Sequence, residues 1–130
     1  METRISSDIA PGIHFRVTRL DLTVSKIVSH VAREFDVSKT DIMSPSISRS
    51  VTEARQVVHL FILLLPGYTL KQTGKEIGGR DHSSVIYSIK TVIGLYDTNP
   101  NYRSRINSIR SYLNISESTF KLHLIKWRKQ

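Results

Sequence analysis

One short run of sequence decides the fold, Gly78-Gly79-Arg80-Asp81-His82-Ser83-Ser84-Val85, because it joins a glycine turn to the polar start of a helix. Adjacent glycines allow positive φ without a Cβ clash, so the chain can reverse sharply after the short segment 70–77. Asp81 suits the N-cap position, since its carboxylate can accept from backbone N–H groups of the first helical turn. The run therefore predicts the turn and second arm of a helix-turn-helix whose first arm is 70–77, weakened by roughly 1 kcal/mol relative to alanine by Gly74.

The helix predicted to begin after Asp81 has one apolar face and a polar N-terminal end. Helical spacing links its apolar residues Val85, Ile86, Ile89, Val92, Ile93 and Tyr96. Its other face carries His82, Ser83, Tyr87 and Lys90. Such side chains can pair with the donors and acceptors in the major groove of DNA, so we expect this helix to be the one that reads DNA.

The rest of the sequence predicts a mainly α-helical fold. Apolar residues recur at helical spacing over about 22–35 and again over 54–65. The second of these helices is preceded by Ser50-Val51-Thr52-Glu53, which fits a capping box. Asn99-Pro100 opens a further helix that runs to about Leu113, with proline at the first helical position.

The two ends of the chain allow more than one interpretation. Two short segments alternate apolar and polar residues, one with Ile13, Phe15 and Val17 and the other with Phe120, Leu122 and Leu124. Both could be short strands, which could pair with each other or across a homodimer formed by the terminal segments. The C-terminal segment also fits a short helix from Ser116, because Ile125 and Trp127 extend its apolar pattern.

Length and pattern predict one domain with an extension at each end. The 130 residues are enough for one core of modest size but not for two ordinary domains. We place an N-terminal extension, which could be a strand, at 1–20, a helix-turn-helix domain at 21–113, and a C-terminal extension, a strand or short helix, at 114–130.

The nine residues Ile77-Gly78-Gly79-Arg80-Asp81-His82-Ser83-Ser84-Val85 closely resemble the signature of the C-terminal DNA-binding domain of DnaA, the bacterial chromosomal replication initiator. The resemblance extends upstream through Ser48-Arg49-Ser50-Val51 and Ala54-Arg55-Gln56, and it covers about 22–113 by pattern. It implies a helix-turn-helix domain of the DnaA C-terminal, Trp-repressor-like type. The partner that it implies is double-stranded DNA with a site like a DnaA box.

The resemblance also sets an expectation about what the chain lacks. The initiator carries an AAA+ ATPase domain ahead of its DNA-binding domain, whereas this chain has neither room for one nor a G-x-x-x-x-G-K-[ST] phosphate loop. We therefore expect a stand-alone DnaA-like protein without the ATPase module.

Composition gives an expectation about the compartment. The sequence has no run of about 18 apolar residues that could span a membrane, and its N-terminus is polar and mixed in charge, unlike a signal peptide. It contains no cysteine, which is compatible with a reducing compartment. We expect a cytoplasmic protein associated with the nucleoid, with no membrane partner.

The charge of the chain is positive and unevenly distributed. Lys and Arg exceed Asp and Glu by one in residues 1–50 and by seven in residues 51–130. The positive half holds the glycine turn and the reading helix, and a positive field of this kind favours a polyanion such as nucleic acid.

Five residues are candidates for contacts in the grooves of DNA: Arg49, Asp81, His82, Ser83 and Ser84. The resemblance implies that Arg49 enters a minor groove and that His82 contacts a base, and it allows Asp81 either to contact a base or only to cap its helix. Ser83 and Ser84 replace the family's usual threonines. They keep the hydroxyl but lose a methyl group that would pack on thymine, so sequence preference would be relaxed or shifted.

Five more residues are candidates for phosphate contacts: Arg55, Gln56, Lys71, Arg80 and Lys90. The resemblance implies this role for Arg55 and Gln56, and Lys90 aligns with a basic position of the family. Lys71 and Arg80 suit the same role on chemical grounds. Together the ten residues predict sequence-specific binding of double-stranded DNA, in a regulator of replication or transcription.

Two other classes of function compete with DNA binding. An enzyme is not expected, since the sequence holds no H-E-x-x-H metal motif and no G-x-S-x-G nucleophile motif, and neither a metal, a cofactor nor a small-molecule substrate is implied. His59 lies in an apolar helix and is expected to be a buried or boundary residue. The alternative function is a protein-interaction module on a DnaA-like scaffold that has lost DNA binding, which the two serines and Glu53, at a position that is often basic in the family, would allow.

Overall fold

The computed structural model describes residues 22–129, and these residues form seven helices and no strand. The helices are α1 (Val24–Phe35), α2 (Lys39–Met43), α3 (Arg49–Ile62), α4 (Leu70–Glu76), α5 (His82–Thr98), α6 (Pro100–Tyr112) and α7 (Glu117–Arg128). The prediction of a mainly α-helical domain is confirmed. The strand suggested around Ile13, Phe15 and Val17 lies outside the described residues.

Side-chain caps begin six of the seven helices. In each case the cap accepts a hydrogen bond from the backbone N–H three residues further along, from Thr23, Ser38, Thr69, Asp81, Asn99 and Ser116. Such a bond satisfies one of the free N–H groups of the first turn. These starts are therefore set locally by the sequence.

The start of α3 differs from the prediction. Its N-cap is Ser48, which makes no side-chain capping bond, so the proposed capping box from Ser50 to Glu53 does not open the helix. Arg49 is consequently the first residue of α3 and does not lie in the preceding loop. The helix also ends at Ile62, and Leu64 and Leu65, which the pattern placed within it, are only partly buried.

Helix α3 is the centre of the fold. It packs against α1, α2, α4 and α5, and the α3–α5 pair is the most extensive helix contact. Its residues Ala54, Val57, Val58, Leu60, Phe61 and Ile62 are fully buried. The apolar face predicted for α5 is buried at Val85, Ile89 and Val92, on the helix that packs most extensively against α3. The core thus fixes the position of α5, the helix expected to read DNA.

The C-terminal segment is the helix α7, so the strand interpretation of Phe120, Leu122 and Leu124 is wrong. Phe120, Leu124 and Trp127 are buried, at the spacing of one helical face, whereas Leu122 is 67% exposed. The ring of Phe120 stacks on that of Phe61 with centroids 5.3 Å apart. Nε2 of His123 donates to the carbonyl of Leu60 at 2.9 Å. Helix α7 therefore belongs to the same core as α3.

We expect Phe120→Ala to lower the free energy of unfolding by about 3–5 kcal/mol, because it removes a buried ring from the α3–α7 contact. The matched control is Leu122→Ala, on the exposed face of α7, which should change it by less than about 0.5 kcal/mol. Urea unfolding followed by circular dichroism measures both. Equal effects would contradict the packing of α7 on the core.

Candidate nucleic-acid interface

The turn between α4 and α5 depends on two glycines in left-handed backbone conformations. Gly78 has φ of 92° and Gly79 has φ of 62°. The N–H of Gly78 donates to the carbonyl of Met43 at 3.2 Å, which ties the turn to the end of α2. A side chain at Gly78 would run into the guanidinium end of Arg55. The predicted role of the glycine pair is confirmed, and Gly78 is also required by a close contact.

Gly74 has a packing role that offsets its low helix propensity. The N–H of Arg80 donates to the carbonyl of Gly74 at 2.7 Å. A Cβ atom at this position would overlap the carbonyl oxygen of Arg80 and press on Val85. The absence of a side chain therefore allows α4 to lie directly against the start of α5.

Arg55 lies inside the protein and does not contact solvent as a phosphate ligand would. Only 2% of the residue is exposed. Its Nε donates to the carbonyl of Ile42 at 2.9 Å, and Nη1 donates to that of Ser46 at 2.8 Å. Its Nη2 donates to the carbonyls of Asp41 at 3.1 Å and Ser44 at 2.6 Å. The prediction that Arg55 binds phosphate is corrected, because the residue is buried and four of its five N–H groups donate to carbonyls within the chain.

Two of these hydrogen bonds fix the loop between α2 and α3, residues 44–48, against α3, and the other two hold the C-terminal end of α2. Burial, and then the nearby charge of Arg80, lower the pKa of Arg55, but an arginine keeps its proton under any condition in which proteins fold. A buried cation of this kind is tolerated only where its donors are satisfied. The loop carbonyls and the guanidinium therefore stabilise each other.

Arg80 holds the same loop from the opposite side. Its Nη2 donates to the carbonyls of Pro45 at 3.2 Å and Ser46 at 3.4 Å, and its Nη1 donates to that of Gly78 at 3.1 Å. The side chain is partly buried. Because Arg80 immediately precedes Asp81, these bonds place the loop beside the start of α5.

The start of α5 presents polar side chains to solvent. Asp81, His82 and Ser83 are exposed, and Ser84 is partly exposed. Oδ1 of Asp81 accepts from the backbone N–H of Ser84 at 2.8 Å. Hydrogen bonds from the backbone and side chain of Ser84 lower the pKa of Asp81, so its carboxylate is charged at neutral pH. The capping role of Asp81 is confirmed.

His59 joins α3 to α5 beneath this surface. Its Nε2 lies 2.9 Å from the carbonyl of Ile77, which can only accept, so Nε2 carries the proton. Its Nδ1 then accepts from the hydroxyl of Ser88, 3.0 Å away. Burial lowers the pKa of His59 to about 4 against the opposing effect of the Ile77 bond, and the charges of Arg55 and Arg80 lower it further by smaller amounts. His59 is therefore a buried, neutral structural residue, as its apolar helix predicted.

A groove of about 370 Å³ separates the starts of α3 and α5. Six of the ten predicted site residues line it: Arg55, Gln56, Arg80, Asp81, Ser83 and Ser84. Thr52 and Tyr87 line it as well and were not among the ten. Helical spacing had already placed Tyr87 on the polar face of α5, and it could have indicated Thr52, which lies one turn before Gln56.

The other four predicted residues lie outside this groove. Arg49 begins α3 with its side chain 93% exposed, and it faces Glu53 across a salt bridge of 3.6 Å. His82 is exposed at the N-terminal end of α5, and Lys71 is exposed at that of α4. Lys90 is exposed two turns into α5. These four residues are thus exposed at the starts of three helices and, for Lys90, further along α5.

A short helix, a glycine turn and a second helix with an exposed polar start define a helix-turn-helix domain. The chain belongs to the family described as the bacterial DnaA protein helix-turn-helix, whose sequence model matches residues 24–92. This confirms the family resemblance carried by the run around Gly78. Family and fold together support DNA binding by a helix-turn-helix, and the matched domain is not a catalytic one.

Individual relatives agree with the family match, and each is a chromosomal replication initiator protein DnaA. The one from Bacteroides fragilis (strain YCH46) is 30% identical over 112 residues, covering 84% of this chain and 24% of the relative. The one from Ehrlichia ruminantium (strain Gardel) is 31% identical over 108 residues, covering 83% and 23%. The one from Treponema pallidum (strain Nichols) is 32% identical over 90 residues, covering 69% and 19%. The chain thus spans less than a quarter of the length of these relatives.

The described part of the chain offers neither a membrane span nor a cluster of metal ligands. None of its helices has the length and apolar character needed to cross a membrane. Within residues 22–129, no three His, Asp or Glu side chains are grouped so that they could hold a metal ion.

We expect Arg55→Lys to lower the free energy of unfolding by about 2–4 kcal/mol, because a single ammonium cannot replace the four directed bonds to the carbonyls of α2 and the loop. Arg49→Lys is the matched control on the same helix, and its exposed ion pair should contribute less than about 0.5 kcal/mol. Chemical denaturation of the two variants and the wild type compares them. Similar stabilities for all three would be inconsistent with Arg55 as an internal brace.

The neutral state of His59 predicts lower stability in mild acid. Because the folded pKa of about 4 lies below the ordinary value of 6.5, its contribution is complete above pH 6.5 and is lost as the pH falls toward 4. From pH 7 to pH 5 the free energy of unfolding should fall by about 2 kcal/mol through His59. His123, whose pKa burial also lowers, acts in the same direction.

Urea unfolding at both pH values tests this dependence. Between pH 7 and pH 5 the free energy of unfolding of His59→Gln should fall by about 2 kcal/mol less than that of the wild type. His82→Gln, which alters an exposed histidine, should show the same fall as the wild type. An unchanged pH dependence in His59→Gln would show that His59 is not buried in its neutral form.

Proposed function

We propose that this domain binds double-stranded DNA sequence-specifically, with the start of α5 in the major groove. The observation that carries the proposal is the exposed polar start of α5, which is held beside the loop 44–48 by the bonds of Arg80. A rigid helix start with side-chain donors and acceptors is the element that helix-turn-helix proteins insert into the major groove.

The residues at the start of α5 would make the base contacts. His82 is exposed and can donate to thymine O4 or guanine N7. Asp81 can cap its helix with Oδ1 while Oδ2 accepts from cytosine N4, so the base-contact and capping roles are compatible. Ser83 and Ser84 offer hydroxyl groups at the same end of the helix, as acceptors or donors to bases or phosphates.

Arg49 would enter the neighbouring minor groove. Its ion pair with Glu53 joins two exposed side chains at 3.6 Å, and such a pair contributes little and is easily exchanged for a new partner. A narrow minor groove rich in A·T pairs attracts a guanidinium through its negative potential. Glu53 would then be the main unfavourable charge near this contact.

Phosphate contacts would come from Gln56, Lys71 and Lys90, with Arg80 adding positive charge at the edge of the loop. Lys71 and Lys90 are exposed, and Gln56 is partly exposed in the groove between α3 and α5. Arg80 already donates to three loop and turn carbonyls, so we assign it mainly to holding the surface in place and to its field. Phosphate contacts set the register of a protein on the duplex and the salt dependence of its binding, but they do not determine its sequence preference.

The relatives are chromosomal replication initiators, which favours a target like a DnaA box and a role in replication or in the regulation of transcription. We place the protein in the cytoplasm, associated with the nucleoid. The division into extensions at 1–20 and 114–130 around a domain at 21–113 also remains a proposal, in which the C-terminal extension packs on the core of the domain as α7. A homodimer through the terminal segments is a proposal as well.

Fluorescence anisotropy with a duplex carrying a DnaA-type site and a scrambled duplex of equal length tests this function. The wild type should prefer the DnaA-type duplex, and His82→Ala should reduce that preference by about 1–3 kcal/mol. Arg49→Ala should weaken binding and reduce the slope of log affinity against log salt by about one. Lys121→Ala, an exposed residue of α7, is the control and should bind like the wild type.

Two results would contradict the proposal in different ways. Equal binding of both duplexes with a steep salt dependence would leave only a phosphate-driven binder. Absence of binding at modest salt would favour the protein-interaction module.

A further inference from the structure

Ile47 is the most exposed of the large hydrophobic residues found exposed in residues 22–129. Its exposed fraction is 85%, against 67% for Tyr87 and for Leu122. Single exposed apolar residues are common on protein surfaces and need no explanation by themselves. The position of Ile47 is distinctive because of how firmly the chain around it is held.

The loop 44–48 that carries Ile47 is fixed by the donors of buried Arg55 and partly buried Arg80. Arg55 donates to the carbonyls of Ser44 and Ser46, and Arg80 donates to those of Pro45 and Ser46. Within the loop, the N–H of Ser46 donates to Oγ of Ser44 at 3.2 Å. The fold therefore holds this apolar side chain out in solvent on a rigid segment.

The same bonds determine what Ile47 lies beside. Arg80 connects the loop to the start of α5, and Arg49, two residues after Ile47, is the cation assigned to the minor groove. With the start of α5 in the major groove, the loop that Arg80 holds beside this start would border the adjoining sugar-phosphate wall. Isoleucine is among the apolar side chains that proteins bound in a minor groove place against the bases.

We propose that Ile47 is an apolar DNA contact, packing against sugar and base edges of the groove that Arg49 enters. This inference rests on the proposed function and adds a contact to it. Because the side chain is neutral, it contributes to affinity by removing apolar surface from water and not by releasing counterions. Removing Ile47 should therefore leave the slope of log affinity against log salt unchanged, whereas removing an arginine that contacts DNA should reduce it.

Anisotropy titrations with the DnaA-type duplex at several salt concentrations test this contact. Ile47→Ala should weaken binding by about threefold to tenfold with an unchanged salt slope and an unchanged free energy of unfolding. Ile47→Lys should steepen the salt slope by about one, because the added cation would lie against phosphates. Leu122→Ala and Leu122→Lys, on an exposed face of α7, are the matched controls and should leave the affinity and the slope as they are.

The outcomes separate this inference from the function beneath it. If the wild type binds the duplex and Ile47→Ala binds equally well, the inference is overturned and the proposed function stands. A steeper slope in Ile47→Lys without weaker binding in Ile47→Ala would place the loop near DNA but still overturn the contact. If the wild type does not bind duplex DNA, both proposals fail together.

Discussion

The buried guanidinium of Arg55 is the group on which the polar surface depends. It donates to the carbonyls of Asp41, Ile42, Ser44 and Ser46, while only 2% of the residue meets solvent. A buried cation is stable only if its donors are paired, and loop carbonyls held away from water need donors in turn. The guanidinium therefore supplies donors to the carbonyls, and the carbonyls supply acceptors to the guanidinium. The loop before α3 is thereby fixed next to Gly78, whose missing side chain leaves room for the arginine.

Other contacts extend this constraint to α5. Arg80 holds the loop from the side of the turn, and His59, one helical turn after Arg55, binds Ile77 and Ser88. One face of α3 thus carries both buried polar groups that position the turn and the start of α5. The hydrogen bonds of Arg55, His59 and Arg80 hold the backbone from Asp81 to Ser84 in place. This backbone need not be ordered when a ligand binds, so less conformational entropy is lost on binding.

Features that depend on local chemistry could be predicted from the sequence, and those that depend on distant partners could not. The caps at Asp81 and Asn99 and the glycine turn follow from residues within a few positions of one another. The role of Arg55 depends on carbonyls 9 to 14 residues earlier, which the local sequence does not indicate. Arg55 was therefore assigned to phosphate binding from the family resemblance alone. At the C-terminus, period 2 and helical spacing both fit residues 120–127, and the packing of Phe120 on Phe61 favours the helix. The DNA contacts themselves are still predictions.

The measurement that tests this account most directly is the exchange of the arginine Nε–H protons with solvent, followed by NMR in the free protein and in its complex with duplex DNA. We expect the Nε–H of Arg55 to exchange slowly in both states, because it is buried and bound to the carbonyl of Ile42. The exposed Nε–H of Arg49 should exchange fast in the free protein and slow only in the complex. Fast exchange at Arg55 in the free protein, with protection only when DNA is bound, would make it a phosphate contact and contradict the account.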